Sequence, residues 1–386
     1  MPSTMYYGSP RQTRLEANET LPAKLDLILT ALHLRERVKG ETVAIKMHTG
    51  NNLSYSTIHP VFVRRVVQAV RDGGGKPFVV DVNWDTAGAE TRGYASEVIG
   101  CPVYPASGPD DKYAYDHPRP YKSIQSWKVA GLIEDASFLV NFAHVKGHPS
   151  CGFGGAFKNI ALGCLAGETR SAMHDVMHYD PYFFPERCTP DDIEKLKRSC
   201  PVEALVEDQH HPGQLHLHME QCNQCGRCLA VAPAGSLKIS PVNFHSFQEA
   251  MAIATQVVLS TFAPGKTVHL ALATDMTPVC DCFGFTSMPI LPDAGVFGSD
   301  DIVALDQAVL DQTAGLRLFE ENLPAVMEVH TRVGHPFRWL HGPYKDPYVV
   351  VSYAEKLGLG SRTYELVDVL PVLKVERSSM AYIAAR

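Results

Sequence analysis

The sequence lacks the features that would associate it with membranes or with nucleic acid. It has no uninterrupted apolar stretch of the roughly 18 residues that mark a transmembrane helix. Residues 1–6 lack the basic and apolar regions of a secretory signal. A net charge of -7 provides no excess of positive charge for binding phosphate backbones or anionic lipids. We therefore expect a soluble protein with no membrane or nucleic-acid partner.

Half of a cysteine pattern is also missing. In two-cluster bacterial ferredoxins, the first three cysteines of a Cys-x2-Cys-x2-Cys-x3-Cys-Pro run bind one cluster, and the fourth cysteine binds the other. Residues 222–228 keep the first three cysteines, but Ala232 occupies the fourth position, before Pro233. Upstream the reverse holds, because Cys200 keeps the fourth position while residues 189–198 resemble a short helix that begins with proline.

The remaining cysteines complete one site. By the crossing rule, Cys200 joins Cys222, Cys225 and Cys228 around a single 4Fe–4S cluster. The alternative is a structural zinc ion on the same four thiolates, although a zinc ribbon normally carries two Cys-x2-Cys pairs. An oxygen-labile cluster on free thiolates requires a reducing compartment, so we expect a cytoplasmic protein.

The rest of the chain alternates between strands and helices, as in an α/β fold. With 386 residues and 45% hydrophobic residues, the chain is long enough for two or three domains and a sizeable core. We expect an α/β body with a mixed or mostly parallel sheet, built from residues 1–185 and 247–386, and an inserted α+β ferredoxin-like module over residues 186–246. The predicted strands are 42–47, 77–82, 137–142 and 267–272, and the predicted helices are 59–71, 156–165 and 247–261.

Polar side chains follow the predicted strands. Lys46 and His48 come at the end of the first strand, Asp81 at the end of the second, and His148 shortly after the third. Parallel sheets bind ligands beyond the carboxyl ends of their strands, where these loops converge. We therefore predict a site at this edge, with Lys46 among the residues that anchor an anionic substrate.

A glycine-rich loop, residues 151–159, precedes the predicted helix 156–165. Its backbone amides suit a phosphate or carboxylate, and Lys158 adds positive charge as a second anchor. A tight turn without any ligand explains the glycines equally well. The spacing matches neither the Rossmann nor the P-loop fingerprint.

Histidines are frequent near this loop. His148 and His174 flank it and its helix and could serve as general bases or metal ligands. We expect the histidines of the cysteine-rich segment to be solvated loop residues. They are His210, His211, His216 and His218.

Two further cysteines surround an acid at Cys280-Asp281-Cys282. On an extended segment, side chains at positions i and i+2 point to the same side. Three interpretations are open: buried structural cysteines, a redox-active or substrate-facing thiol at Cys282, or ligands of a second metal centre together with Cys151 or Cys164. Asp281 is either an acid/base group or a turn residue.

Taken together, these segments resemble the domain-of-unknown-function 362 family, whose members are often described as iron–sulfur centre proteins. The resemblance includes a shared acidic motif in which Ser299 or Asp300 would cap the helix that carries Asp306. Some members carry two complete cysteine runs, whereas this chain keeps one. The segments that carry the resemblance are 144–159, the cysteine-rich segment, 280–282, 289–293, 299–308 and 353–361.

Three functions are compatible with these features. The first is a reductase that passes single electrons from one 4Fe–4S cluster to a small anionic substrate in the α/β cleft, with a ferredoxin- or flavodoxin-type protein as electron donor. The second is a non-catalytic electron-transfer or maturation partner. The third is an isomerase with a structural cluster, whose second metal centre or organic cofactor performs the chemistry. The oligomeric state is left open.

Overall fold

The computed structural model describes residues 2–51, 53–209, 211–329 and 331–373. His210, predicted to be a solvated loop residue, lies outside these ranges. None of the helices within them combines the length and apolar character needed to cross a bilayer.

The strands are β1 (Ser3–Gly8), β2 (Thr42–Met47), β3 (Lys76–Asp81), β4 (Val103–Pro105), β5 (Ala114–Tyr121), β6 (Ile124–Ala130), β7 (Phe138–His144), β8 (Lys146–His148), β9 (Gly152–Gly154), β10 (Leu205–Glu207), β11 (Leu215–Leu217), β12 (Thr267–Ala273), β13 (Gly295–Ser299) and β14 (Tyr364–Asp368).

The α-helices are α1 (Leu21–Ala31), α2 (Leu34–Arg37), α3 (Pro60–Asp72), α4 (Asn83–Thr86), α5 (Ser96–Ile99), α6 (Gly131–Glu134), α7 (Ala156–Gly163), α8 (Gly167–Asp175), α9 (Pro190–Ser199), α10 (Arg227–Val231), α11 (Pro241–Ser260), α12 (Ile302–Ala314), α13 (Pro336–His341) and α14 (Tyr348–Lys356). Short 3-10 helices lie at Ala17–Glu19, Ala89–Arg92, Val176–His178, Pro185–Arg187, Asp281–Phe283 and Glu320–Asn322.

An eight-stranded sheet forms the centre of the protein, in the order β14-β1-β13-β12-β7-β2-β3-β4. The pairs β1–β14, β12–β7, β7–β2, β2–β3 and β3–β4 are parallel, while β13 is antiparallel to both β1 and β12. The predicted α/β fold with a mixed, mostly parallel sheet is therefore confirmed. Separate two-stranded antiparallel sheets pair β5 with β6, β8 with β9, and β10 with β11.

Hydrophobic clusters cover both faces of the sheet. Val43 and Ile45 of β2 point to one face, where they join Val66 and Val70 of α3. Ala44 points to the other face and belongs to the cluster that contains α7, α11 and α12. This alternation follows from the two-residue period of a strand, and burial on both faces explains why β2 and β7 are almost entirely apolar.

The predicted helix over 247–261 begins six residues earlier than expected, at Pro241. Ser240 precedes this first turn, and the Asn243 side-chain oxygen accepts a hydrogen bond from the Ser240 amide at 3.3 Å. The usual sequence signature of such a capping box has Glu or Gln at this position, so the start was missed.

The cysteine-rich segment packs on the body through a shared core. Helix α9 begins after Thr189, whose side chain accepts a hydrogen bond from the Asp192 amide, as expected for the predicted short helix. Leu196 of α9 and Leu217 of β11 belong to the same hydrophobic cluster as Phe247 of α11. The position of β11 relative to the body is therefore set by buried apolar contacts.

The backbone amides at the start of α7 were predicted to suit a phosphate or carboxylate ligand, but they already have a partner within the protein. The Asp306 carboxylate of α12 accepts hydrogen bonds from the amides of Ala156 at 2.8 Å and Phe157 at 3.0 Å. Asp306 is fully buried, and this burial raises the pKa of its carboxyl to about 7 although the two amides oppose the shift. The glycine-rich loop thus holds an internal carboxylate at the helix N-terminus.

The cap of α12 differs from the prediction. Asp301, and neither Ser299 nor Asp300, accepts hydrogen bonds from the amides of Val303 at 2.8 Å and Ala304 at 3.0 Å. The Ser299 hydroxyl donates instead to the Thr4 carbonyl, and Asp300 pairs with Arg37. These competing partners lie far away in sequence, so neighbouring residues could not reveal them.

Replacing Asp306 with Asn should make the free energy of unfolding less dependent on pH. An unfolded aspartate ionises near pH 4, whereas buried Asp306 keeps its proton up to about pH 7. The group therefore stabilises the fold below about pH 4, and this contribution is lost as the pH rises toward 7, by at most about 1.4 kcal/mol per pH unit.

Urea unfolding of both proteins at about pH 5 and about pH 7 measures this difference. Asp306→Asn should gain stability relative to the wild type as the pH rises. Asp110→Asn, at an exposed aspartate, is the matched control and should follow the wild type. An Asp306→Asn protein with the wild-type pH dependence would contradict the prediction.

Candidate functional site

A cavity of about 640 Å³ lies at the carboxyl ends of β2, β3 and β7. Helices α7 and α8, the turn at 280–283 and strand β11 complete its walls. Most of the residues predicted as catalytic line it, and Asp281 lies behind its surface. The lining members of that set are Lys46, His48, Asp81, His148, Lys158, His174 and Cys282.

Lys46 is fully engaged by the protein. Its Nζ lies 2.9 Å from Asp81 Oδ1 and donates to Asn159 Oδ1 at 2.8 Å and to the Met47 carbonyl at 3.1 Å. An ammonium group has three hydrogens, so no donor is left for a ligand. These contacts favour a structural role for Lys46 over its predicted role as an anchor for an anionic substrate. A Cβ atom at Gly163 would lie 1.9 Å from Lys46 Cε, so the Lys46 side chain has this position only because residue 163 is glycine.

Asp81 also orients His48. Its Oδ2 lies 3.0 Å from His48 Nδ1 and accepts a hydrogen bond from the Thr49 amide at 2.9 Å. A second carboxylate, Asp85 Oδ2, lies 3.3 Å from the same ring nitrogen. His48 Nε2 is buried and has no hydrogen-bond partner among the described residues.

The charges around His48 determine its protonation. Burial opposes the charged form, but Asp85, Cys280 and Asp81 together raise the pKa of His48 to about 10. Burial likewise raises the pKa of Asp85 to about 7, against the influence of His48. Asp85 was not predicted, although it lies four residues after Asp81, one helical turn beyond a polar strand end.

Cys280 and Cys282 lie on a turn. Residues 281–283 form a 3-10 helix rather than an extended segment, and a hydrogen bond from the Phe283 amide to the Cys280 carbonyl at 3.1 Å closes this turn. Lys158 Nζ lies 3.3 Å from Cys280 Sγ and 3.7 Å from Cys282 Sγ. The turn therefore presents both sulfurs to one cation at the cavity wall.

The two thiols differ in acidity. Burial opposes ionisation of Cys280, but a hydrogen bond from Cys282 and the charge of Lys158 hold its pKa well below the usual range. The same hydrogen bond, together with burial, holds the pKa of Cys282 well above its usual range. The pair is thus a Cys280 thiolate with a neutral Cys282 thiol, and Lys158 balances its charge.

His148 faces this pair. Its Nδ1 accepts a hydrogen bond from the Ser150 amide at 3.1 Å, and its Nε2 lies 3.9 Å from Cys282 Sγ. Burial, with the charge of Lys158, holds the pKa of His148 well below its usual range. The ring is therefore neutral and carries its proton on Nε2, toward the cavity.

Asp281 stabilises Lys146 from behind the cavity. Lys146 Nζ lies 2.6 Å from Asp281 Oδ2 and 3.0 Å from His144 Nδ1, while His144 Nε2 donates to the Thr274 carbonyl at 2.8 Å. Burial opposes ionisation of Asp281, but Lys146 and His144 hold its pKa well below the usual range. Asp281 is thus neither exposed to the cavity nor a simple turn residue.

Histidines form the opposite wall. His216 and His218, predicted to be solvated loop residues, line the cavity together with His174 and His178. The ring of His178 stacks on that of His216 at 4.7 Å between centroids, and His218 meets His216 edge-on at 4.9 Å. The alternation of leucine and histidine over 215–218 was the available signal, because it is typical of a strand with one buried face.

The other face of β11 bounds a second cavity of about 60 Å³. Leu217 lines it, so this cavity and the histidine wall lie on opposite faces of one strand. The four cysteines predicted as cluster ligands also line it: Cys200, Cys222, Cys225 and Cys228. Cys222 is buried, and the other three are partly exposed.

The described residues contain two groups of three candidate metal ligands whose atoms all lie within 4.8 Å of one another. One group is His48, Cys280 and Cys282, and the other is His48, Asp81 and Asp85. The four cysteines around the 60 Å³ cavity form no group this compact within the described ranges.

Cys151 and Cys164, suggested as partners of Cys280 and Cys282 in a second centre, are buried and belong to neither group. Cys151 donates a hydrogen bond to the Phe153 carbonyl. Burial raises the pKa of each to about 12, so both are neutral thiols within the core.

Residues 43–311, well over half of the chain, match the family described as Domain of unknown function (DUF362). The chain belongs to this family. No curated protein matches the sequence. Among solved structures, it is similar to the lactate racemase apoprotein from Thermoanaerobacterium thermosaccharolyticum, with 12% identity and a TM-score of 0.33. That match covers 70% of this chain and spans only half of the racemase chain.

Replacing Lys146 with Met should lower the free energy of unfolding by about 3–5 kcal/mol, because it leaves the buried Asp281 carboxylate without its cation. Chemical denaturation measures the loss. The control is Arg65→Met, which breaks an exposed pair with Asp26 at a similar distance of 3.0 Å and should cost less than about 1 kcal/mol. Equal losses in the two variants would show that the Lys146–Asp281 pair is not the buried contact described here.

Proposed function

We propose that this protein is an iron–sulfur oxidoreductase that acts on a small anionic substrate in the 640 Å³ cavity. Cys200, Cys222, Cys225 and Cys228 would hold one 4Fe–4S cluster, which supplies or accepts single electrons when bound. The observation that carries the proposal is that the cysteine cavity and the substrate cavity lie on opposite faces of β11.

The spacing of the cysteines supports a cluster rather than zinc. Zinc binds sulfur at about 2.3 Å, so four tetrahedral thiolates lie about 3.8 Å apart. Within the described residues, no three of these four sulfurs lie within 4.8 Å of one another. A cluster, in which each cysteine binds a different iron, suits wider spacing around a small central cavity. We therefore keep the ferredoxin-like assignment of residues 186–246 as part of the proposal.

The contacts of the lysines indicate which of them can bind the substrate. Lys146 Nζ has two partners, Asp281 and His144, and Lys158 Nζ has two, Cys280 and Cys282. Each ammonium group therefore has one hydrogen available for an anion, unlike that of Lys46.

A hydrogen-bond donor lies beside these lysines. His148 carries a proton on Nε2, on the cavity side of the ring. The neutral ring would keep this proton and donate a hydrogen bond to the negative charge that develops on the substrate during electron transfer, while solvent supplies the protons that the reduction adds.

The exposure of the cluster ligands supports a protein electron donor. Cys225 and Cys228 are partly exposed, and Leu229 of α10 is 43% exposed beside them. A ferredoxin- or flavodoxin-type donor in the cytoplasm would approach from this side. A purely electron-carrying protein would use the same surface, but it would leave the lysine- and histidine-lined cavity without a role.

Replacing Cys225 with Ser should abolish the cluster. Anaerobically purified wild type is expected to contain about four irons and four sulfides per chain, with an EPR signal after reduction by dithionite. Cys188→Ser is the matched control in the same segment, because Cys188 does not line the cysteine cavity. Zinc without sulfide in the wild type would refute the cluster.

The reaction itself is tested by re-oxidation of the dithionite-reduced protein with small carboxylates that carry a C=C or C=O bond. Because reduction of the double bond takes two electrons, we expect two reduced clusters to be re-oxidised for each product in the wild type, no product in Cys225→Ser, and at least about tenfold weaker apparent affinity in Lys158→Met, which removes a charge from the cavity. Conversion of a carboxylate that persists in Cys225→Ser would favour the isomerase with a structural cluster. Electron exchange with redox proteins alone would favour the carrier.

A further inference from the structure

We propose that His48, Cys280 and Cys282 bind one divalent metal ion of the zinc class, separate from the cluster and with one coordination position open to the 640 Å³ cavity. The three ligand atoms lie within 4.8 Å of one another. This upper limit exceeds the roughly 3.3–3.8 Å between ligands of a tetrahedral zinc site by only about 1 Å, so small side-chain movements suffice to reach that geometry.

The turn at residues 281–283 makes two cysteines two positions apart usable as joint ligands. An extended chain would present both sulfurs to one side but at an unfavourable angle to a single ion. The 3-10 turn instead brings the two sulfurs within 4.8 Å of each other. Cys280 is fully buried, whereas Cys282 is partly exposed at the cavity.

His48 supplies the third ligand atom. Its Nδ1 is held by Asp81 at 3.0 Å, and its buried Nε2 has no partner within the described part of the chain. Metal-bound histidines usually donate their other ring N–H to a carboxylate, which fixes the orientation of the ring. The Asp81–His48 contact has this arrangement, and a metal ion would take the place of a proton on Nε2.

The second compact group, His48 with Asp81 and Asp85, is a poorer metal site. Asp81 Oδ1 is occupied by Lys46, and Asp81 Oδ2 already accepts from the Thr49 amide. These contacts leave Asp81 as a support for His48 rather than a ligand.

The ligand chemistry indicates the metal. Two thiolates and one imidazole form a soft donor set that favours zinc over magnesium, calcium or manganese. Zinc sites with three protein ligands are catalytic in character, because the fourth position is free for water or substrate. All three ligands line the cavity, so the free position faces it.

Two neighbouring groups donate toward the ligand sulfurs and would stabilise them as thiolates. Lys158 Nζ at 3.3 Å from Cys280 Sγ and His148 Nε2 at 3.9 Å from Cys282 Sγ donate toward the sulfurs. Hydrogen bonds to coordinating sulfur tune a metal centre from outside its ligand shell. A substrate oxygen bound to the ion would lie beside Lys158. This arrangement rests on the proposed function, but binding of the ion itself is independent of it.

The site is tested by metal analysis and cobalt substitution rather than by activity. Anaerobic wild-type protein supplied with Zn²⁺ should hold about one zinc in addition to the cluster iron. Supplied with Co²⁺ instead, it should show thiolate-to-cobalt charge-transfer absorption. Cys282→Ser and His48→Ala should lose that ion and weaken Co²⁺ binding at least about tenfold, with the iron content unchanged.

The controls separate this site from the proposed cluster. Cys225→Ser should lose iron and keep the zinc, and Cys188→Ser should keep both. Wild-type protein with four irons but no zinc or cobalt absorption would overturn the metal site and leave the oxidoreductase intact. Undiminished Co²⁺ binding by both Cys282→Ser and His48→Ala would also overturn the metal site. A Cys280–Cys282 disulfide in place of the ion would have the same consequence. Zinc without iron, lost in Cys282→Ser but kept in Cys225→Ser, would overturn the oxidoreductase and leave the metal site intact.

Discussion

The buried ion pair between Lys46 and Asp81 is the contact on which the rest of the cavity depends. Both side chains are almost completely removed from water, and separating them would leave an uncompensated charge in the protein interior. The pair joins the ends of the adjacent parallel strands β2 and β3, and Asn159 fastens it to α7. Asp81 then uses its second oxygen to orient His48. The Lys46–Asp81 pair thus fixes the positions of the sheet, helix α7 and the His48 ring relative to one another.

The sequence could predict where the cavity lies but not what each polar residue does. Polar residues at the ends of buried strands must converge at the carboxyl edge of a parallel sheet, so the location follows from chain direction alone. Whether Lys46 keeps a donor for a ligand depends on Asn159, more than 100 residues away in the sequence, which accepts one of its three hydrogens. The same limit applies to Asp306, whose partners at the start of α7 lie about 150 residues earlier.

The cysteines show that sequence spacing predicts which residues of a motif lie together but does not predict a local backbone conformation. The crossing rule placed Cys200 with the run at 222–228 from spacing alone, and these residues surround one cavity. For Cys280 and Cys282 the decisive feature was a single 3-10 turn, which spacing does not specify. The cavity positions of His216 and His218 were missed because the three-residue strand β11 is too short for its alternation to be recognised in the sequence.

Gly163 allows the Lys46 ammonium to reach Asp81 because it has no side chain. Any larger residue at this position would overlap the aliphatic part of Lys46 and push the ammonium away from Asp81. The ionisation of His48 would then change as well, since Asp81 would have lost its other cation. In this protein the charge distribution of the cavity thus depends sterically on a residue that carries no charge.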